Sequence, residues 1–356
     1  MAKPLAPSTP AIYQRVRATL KRAPRTWLIT GVAGFIGSNL LEALLKLNQR
    51  VIGLDNFASA TKRNLQEVRD QITKGQWNRF RFYEGDISEP RDCERAVRGA
   101  EIVLHQAALG SVPRSLEEPL LTHQTNVTGF LNLLEAARHA GHKRVVYASS
   151  SSVYGDESSA RKVEHRLGRP LSPYAASKAT GEVYANAYAA AYGMALIGLR
   201  YFNVFGPRQD PAGPYAAVIP RWISALLERK PVYIYGDGQT SRDFCYIENV
   251  VQANLLAGTT KSRAAVNQVF NIAAGRRTTL NRLFALLQKM LLRGAGKRDA
   301  PIYKNFRAGD IKHSLADISK ARRLLGYNPS WQIEDGLEAA SEWYQKHLAG
   351  RRSVSG

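Results

Sequence analysis

The chain has 356 residues, enough for a large core and two lobes, and its 44% apolar content is that of an ordinary globule. No apolar run reaches membrane-spanning length and the N-terminus carries no apolar stretch flanked like a secretion signal, so a cytoplasmic protein is expected, without a membrane partner. Lys and Arg number 50 against 29 Asp and Glu, a net charge of +21, but they are scattered without a long run or an aromatic-interleaved motif, so a solvated basic surface is expected and nucleic acid is not the expected partner.

In chain order, residues 1–25 are basic and carry proline at 4, 7, 10 and 24, so they read as an N-terminal arm holding one short helix over Ala11–Lys21. Trp27–Thr30 reads as a buried strand, three glycines follow at once, and Phe35–Leu47 has apolar residues at helical spacing. Val51–Asp55 is a second strand, ending in a carboxylate 18 residues after Gly37. Strands over Arg79–Tyr83, Ile102–Leu104, Arg144–Ala148 and Ala195–Leu199 then alternate with helices over Arg91–Arg98, Leu120–His139 and Tyr174–Tyr192. Repeated βα units of this kind predict an α/β fold, a doubly wound parallel Rossmann sheet over residues 26–200. After Tyr201 the alternation loosens and Pro and Gly become frequent, which predicts a smaller α/β lobe over 201–350 that holds the substrate, with some segments returning to the first domain. Cys93 and Cys245 fall in helix and strand interiors and read as buried thiols.

The chemistry is concentrated in a few motifs. Gly31, Gly34 and Gly37 turn a strand into a helix N-terminus, where backbone N–H groups and the positive dipole end suit a pyrophosphate. Asp55 can accept hydrogen bonds from the adenosine ribose and would repel a 2′-phosphate, so NAD is the expected cofactor. Ser149–Ser152 put hydroxyls at the carboxyl end of the sheet. Tyr174 and Lys178 share a helix face at i and i+4, where the ammonium is expected to depress the phenol's pKa. No metal is expected, because His139 and His142 lie near the end of one helix without a clear third ligand and His105 only ends a strand.

From Trp27 to about Trp343 the chain resembles the extended short-chain dehydrogenase/reductase family, and within it the UDP-hexose 4-epimerases, most of all those acting on UDP-N-acetylglucosamine. The resemblance rests on Gly31–Asn39, His105–Arg114, Ser149–Asp156, Ser172–Tyr174, Leu199–Gly206, Gly236–Phe244, Arg307–Asp310 and His313–Asp317. It implies Tyr174 as base, Lys178 as its partner, and Ser150, with Ser151 as rival, as the catalytic hydroxyl. It implies NAD contacts at Gly31, Phe35, Ile36, Asp55, Asn56, Asp86, Ile87, Ala107 and Asn126, besides Tyr174 and Lys178. For the nucleotide sugar it implies Gly110, Ser111, Asn203, Ala217, Val218, Tyr233, Arg242, Arg307 and Asp310, with Ser314 bordering the pocket for the C2 substituent. A homodimer built on the Leu120–His139 and Tyr174–Tyr192 helices is also implied. Other readings of the same chain are a UDP-glucuronate 4-epimerase or decarboxylase, and, from another class, a catalytically silent RNA-binding module, against which the intact Tyr174 and Lys178 count. Ser149 has no role in any of them.

Overall fold

The computed structural model of the chain describes residues 7–141, 144–210, 217–291, 300–306 and 312–349. Seven parallel strands form one sheet: β1 (Thr26–Thr30), β2 (Arg50–Asp55), β3 (Phe80–Glu84), β4 (Ile102–His105), β5 (Arg144–Ser150), β6 (Ala195–Tyr201) and β7 (Gln268–Ile272). Their spatial order is β3-β2-β1-β4-β5-β6-β7, so the chain changes its direction of travel between β1 and β4, where such folds open a ligand crevice. The seventh strand returns from the later part of the chain and pairs with β6.

Helices α1 (Ala11–Arg22), α2 (Phe35–Lys46), α3 (Lys62–Asp70), α4 (Pro90–Val97), α5 (Gly129–His139), α6 (Pro173–Tyr192), α7 (Val218–Leu227) and α8 (Ile247–Thr259) accompany the sheet. Successive strand residues point to opposite faces, and each face has its own core. Trp27, Ile29, Val146 and Ile197 pack on the α2 and α8 side; Leu28, Val103, Val145 and Tyr147 meet Cys93, Phe130 and Ala185 of α4, α5 and α6. The N-terminal helix is packed onto this body: Tyr13 and Leu20 are buried, and Gln49 joins the Leu20 carbonyl to the Trp27 indole.

Helix α6 is long because its sequence signals both ends. Ser172 accepts from the Ala175 N–H at 3.1 Å, Pro173 occupies the first helical position, and Gly193 closes the helix in the left-handed conformation. The single helix predicted over Leu120–His139 is present, running from Pro119 to His139 with one wide π turn inside it. Pro119–His123 and α5 are joined by a wide turn at Gln124–Thr128. Asn126 sits in that turn and bonds Leu109 through both amide atoms and the Ser177 hydroxyl of α6. The backbone stays helical through the wide turn, so a helical reading runs across it and the turn itself goes unread. The remaining chain supplies short strand pairs: Val204–Phe205 with Cys245–Tyr246, Ser241–Asp243 with Arg277–Thr279, Tyr233–Tyr235 with Ile302–Lys304, and Arg161–Lys162 with Leu315–Ala316. Both cysteines are buried, as expected. Among the described residues no helix is long and apolar enough to cross a membrane.

Candidate active site

A cleft of about 1270 Å³ runs along the carboxyl ends of the strands from the β1–β4 switch point toward the later part of the chain. That volume can take two nucleotide-sized ligands side by side. Its dinucleotide end is built on the close approach of backbones. Gly31 has φ +68°, and a Cβ there would stand 2.7 Å from the Ala107 nitrogen across the switch point. A Cβ on Gly37 would stand 2.0 Å from the Gly31 carbonyl oxygen. Only glycine allows either approach, and together they bring the N-terminus of α2 against the floor of the crevice.

Asp55 ends β2 nearby. Its carboxylate accepts the Ala33 and Phe57 N–H groups at 2.8 Å each, leaving acceptor capacity for ribose hydroxyls, and burial pushes its pKa up while those N–H groups pull it down. Asn56 donates to Asp86 at 2.6 Å, joining the ends of β2 and β3, and Ile87 follows in the same wall. The donor set therefore fits an NAD: a glycine cradle, a helix N-terminus and a carboxylate at the expected station. His105 stays neutral, with burial holding its pKa down to about 3 and Thr30 bonding Nδ1 at 2.7 Å. Among the described residues no group of three His, Cys, Asp or Glu side chains could hold a metal ion.

Tyr174, Lys178 and Ser150 meet where β5 ends beneath the N-terminal turns of α6. The Ser150 hydroxyl shares the cleft wall with Tyr174 and accepts the Ser152 N–H at 3.1 Å. Burial raises the phenol pKa, and Ser150 lowers it. The lysine does not stand against the phenol as the i, i+4 spacing suggests: its Nζ donates to the Ala148 carbonyl at 2.9 Å and lies 6.0 Å from the Tyr174 ring centroid. Burial brings the ammonium pKa down to about 8. The lysine's direct partner is thus the strand, and the phenol's is the serine.

Gly34, Phe35 and Ile36 line the dinucleotide end, and Gly110, Ser111, Ser151, Asn203, Ala217, Arg242 and Ser314 line the other. Ser111 is held at φ +102°, an uncommon conformation for a residue with a side chain. Arg242 donates to the Ser241 carbonyl at 3.0 Å, and the Ser314 N–H donates to the same residue's carbonyl at 3.2 Å. Asn126 lies behind the wall and shapes it through Leu109 and Ser177. Val218 starts α7 and packs against the core, and Tyr233 is an exposed ring under Lys304, so neither lines the cleft. Arg307, Asp310 and His142 lie outside the described residues.

Three side chains around this site carry no signal in the sequence. Glu182 of α6 accepts the Ser149 hydroxyl at 2.5 Å and is clamped by Arg200 of β6 through two bonds of 2.9 and 2.7 Å. Lys162, buried in the cleft wall, is held by the Glu157 carboxylate at 3.0 Å and by the Glu157 carbonyl.

A dinucleotide crevice facing a Tyr/Lys/Ser constellation defines a nicotinamide-dependent enzyme of the doubly wound class. Residues 27–273 match the NAD dependent epimerase/dehydratase family, and the chain belongs to it. It is 36% identical to the UDP-glucuronate 4-epimerase of Thermodesulfobacterium geofontis over 92% of this chain and 98% of that one. Among solved structures it superposes on the UDP-N-acetylglucosamine 4-epimerase of Methanobrevibacter ruminantium, in complex with UDP-N-acetylmuramic acid, with a TM-score of 0.82 at 37% identity, covering 91% of this chain and 99% of the other. The UDP-glucose 4-epimerase of Thermus thermophilus, solved with NAD, gives a TM-score of 0.76 at 33% identity over 90% and 99%. The cofactor of this protein is NAD.

Proposed function

We propose that the protein interconverts UDP-sugars epimeric at C4, with UDP-GlcNAc and UDP-GalNAc as its principal substrates. The observation that carries the reading is the meeting of Tyr174, Ser150 and Lys178 at the end of β5, beside the glycine cradle. Bound NAD supplies the hydride acceptor and donor. Tyr174, whose phenolate Ser150 favours, takes the proton from the sugar O4 as the C4–H bond breaks and the carbonyl forms. Ser150 holds O4 and the phenol in one line. After the 4-keto sugar has turned over about its bond to the diphosphate, Tyr174 returns the proton while C4 is reduced on its other face. Lys178, anchored on Ala148, keeps a cation at the back of the site.

The acetylated preference rests on a small residue, Ser314, in the cleft wall, and on the likeness to an enzyme named for UDP-N-acetylglucosamine. The likeness to a UDP-glucuronate 4-epimerase supports a second reading, in which a cation must meet the extra carboxylate. Lys162, a cation of the wall, is already held by Glu157, which weighs against it. Incubation with UDP-GlcNAc, UDP-Glc and UDP-glucuronate, with products identified by NMR, decides between them. UDP-GalNAc formed fastest is the expected result; fastest turnover of UDP-glucuronate would replace this reading with the second. Tyr174→Phe should lower kcat by about 10²–10⁴ with UDP-sugar binding kept. A two-fold homodimer is part of the proposal: Leu116, Leu120 and Leu121 lie exposed on short helices that pack on α6, and Val183 and Tyr192 are exposed on α6 itself. Light scattering reporting a monomer at micromolar concentration would exclude it.

A further inference from the structure

Ser149 is bound into a ladder that joins the catalytic strand to the catalytic helix. Tyr174, Lys178 and Glu182 follow one another at i, i+4 and i+8 on a single face of α6. Each meets the end of β5: Tyr174 the Ser150 hydroxyl, Lys178 the Ala148 carbonyl at 2.9 Å, and Glu182 the Ser149 hydroxyl at 2.5 Å. Three consecutive residues of the strand thus face three successive turns of the helix, two of them through hydrogen bonds.

The lowest rung is the rigid one. Glu182 and Arg200 are 6% and 2% exposed, and Arg200 is directly opposite Ser149 in the β5–β6 register. Besides its two bonds to Glu182, Arg200 donates to the Tyr154 hydroxyl at 3.1 Å and to the Glu164 carbonyl at 3.0 Å. Tyr154 in turn donates to Asn271 of β7 at 2.6 Å. The carboxylate that accepts the Ser149 hydrogen bond is therefore fixed from two other strands, β6 directly and β7 through Tyr154, and cannot follow the serine if the strand end shifts. A buried ion pair is a weak source of net stability, since apolar packing of the same volume does as well. Its value here is geometric.

We propose that Ser149 is a positioning residue: by donating to the fixed Glu182 it locks the end of β5 against α6 and so sets the Ser150–Tyr174 contact. Its hydroxyl hydrogen is used by Glu182, so it has none to donate to the sugar. The inference rests on the Tyr174/Ser150 reading of the site.

The test compares Ser149→Ala, Ser149→Thr and Tyr174→Phe in the NAD-loaded enzyme, with kcat and KM measured for the UDP-sugar turned over fastest. Near-attack geometry lost by about 1 Å costs on the order of 10²-fold, so Ser149→Ala should lose about ten- to a hundredfold in kcat. Its KM and NAD content should stay within about threefold of the parent, because the glycine cradle and the substrate walls are untouched, and Ser149→Thr, which keeps the hydroxyl, should recover most of kcat. A Ser149→Ala kcat within twofold of the parent overturns the proposal. So does a loss carried equally by KM, or one that threonine does not rescue. Should Ser149→Ala not hold NAD, Ser149→Cys keeps the volume with a weaker donor and is read in the same way. Tyr174→Phe separates the two layers: if it remains within a few-fold of the parent, the site reading itself is wrong; if it is inactive while Ser149→Ala is not impaired, only the positioning role fails.

Discussion

Gly37→Ala sets two opposed effects against each other at one position. Gly37 lies in the first turn of α2, where exchanging glycine for alanine ordinarily favours the helix by about 0.5–1 kcal/mol. The new Cβ, however, would stand 2.0 Å from the Gly31 oxygen, 2.8 Å from its carbonyl carbon and 2.9 Å from Val32 Cα. These are backbone atoms and no rotamer relieves them. Gly31 is pinned in turn, its N–H donating to the Leu54 carbonyl at 2.8 Å and its carbonyl accepting from Gly34 at 3.1 Å. The helix end must therefore retreat by about 1.4 Å to restore ordinary contact at 3.4 Å. Overpacking of a tight core costs about 1–3 kcal/mol and more where nothing can rotate, so the clash outweighs the propensity gain. A retreat of more than about 1 Å also withdraws the N–H groups of the helix end from the pyrophosphate and weakens its binding. We expect the purified variant to carry little NAD, measured by denaturing it and quantifying released dinucleotide, and to melt several degrees below the parent. Gly34→Ala is the control: its Cβ would meet only the Gly31 oxygen, at 3.2 Å, and its φ of −71° suits any residue. That variant should fold with a Tm close to the parent's. A Gly37→Ala protein that keeps its NAD and melts at or above the parent would refute the reasoning.

Three further outcomes follow from particular side chains. With NAD removed, Lys178→Met should stabilise the protein at neutral pH while abolishing turnover: burial depresses the ammonium pKa from 10.5 to about 8, so the unfolded chain binds more protons between those values and stability rises with pH across that window. The advantage of the methionine, at most about 3 kcal/mol, should accordingly shrink from pH 8 toward 10.5 in urea titrations, and a constant or growing advantage would contradict it. Arg200→Leu should cost about 3–5 kcal/mol by leaving Glu182 buried and unpaired, whereas Arg200→Leu with Glu182→Leu should recover most of that loss; additive losses in the double-mutant cycle would show that the pair is not coupled. Ser314→Tyr should cut kcat/KM for UDP-GlcNAc and UDP-GalNAc much more than for UDP-Glc and UDP-Gal, and an equal loss for all four would remove Ser314 as a determinant of the C2 pocket.

The parts of the site that pattern reading finds are those whose signal is local. A strand, a glycine turn and a helix lie within about twenty residues, and Asp55 follows at the end of the next strand, so the cradle can be read from the chain alone. Tyr174 and Lys178 declare themselves by i, i+4 spacing, although the spacing alone pairs the lysine with the phenol where the fold gives it to Ala148. What stays hidden depends on contacts across the sheet. Glu182 in an alanine-rich helix reads as a solvated charge, and only the placement of α6 over β5 and β6 turns it inward against Arg200. Lys162 likewise reads as a surface lysine, yet it is 2% exposed because its strand pairs with Leu315–Ala316 and closes Glu157 over its ammonium. Ser149 lies just past the predicted strand Arg144–Ala148, whereas β5 continues through Ser150 and turns the Ser149 hydroxyl onto Glu182.

That placement also settles how charge is distributed around the acid–base pair. In a protein of net charge +21, a buried arginine two strands from the centre of the sheet could bias every proton transfer above it. Glu182 cancels it through two hydrogen bonds, and His105, on the neighbouring strand β4, is held neutral by burial. With these groups silent, burial is the first cause of the shift at both Tyr174 and Lys178. Ser150 is what favours the phenolate. On the proposed reading of Tyr174 as base, the placing of Ser150 beside it outweighs any distant charge, and Ser149, one residue away and bonded to the same neutral pair, is the residue proposed to hold that placing.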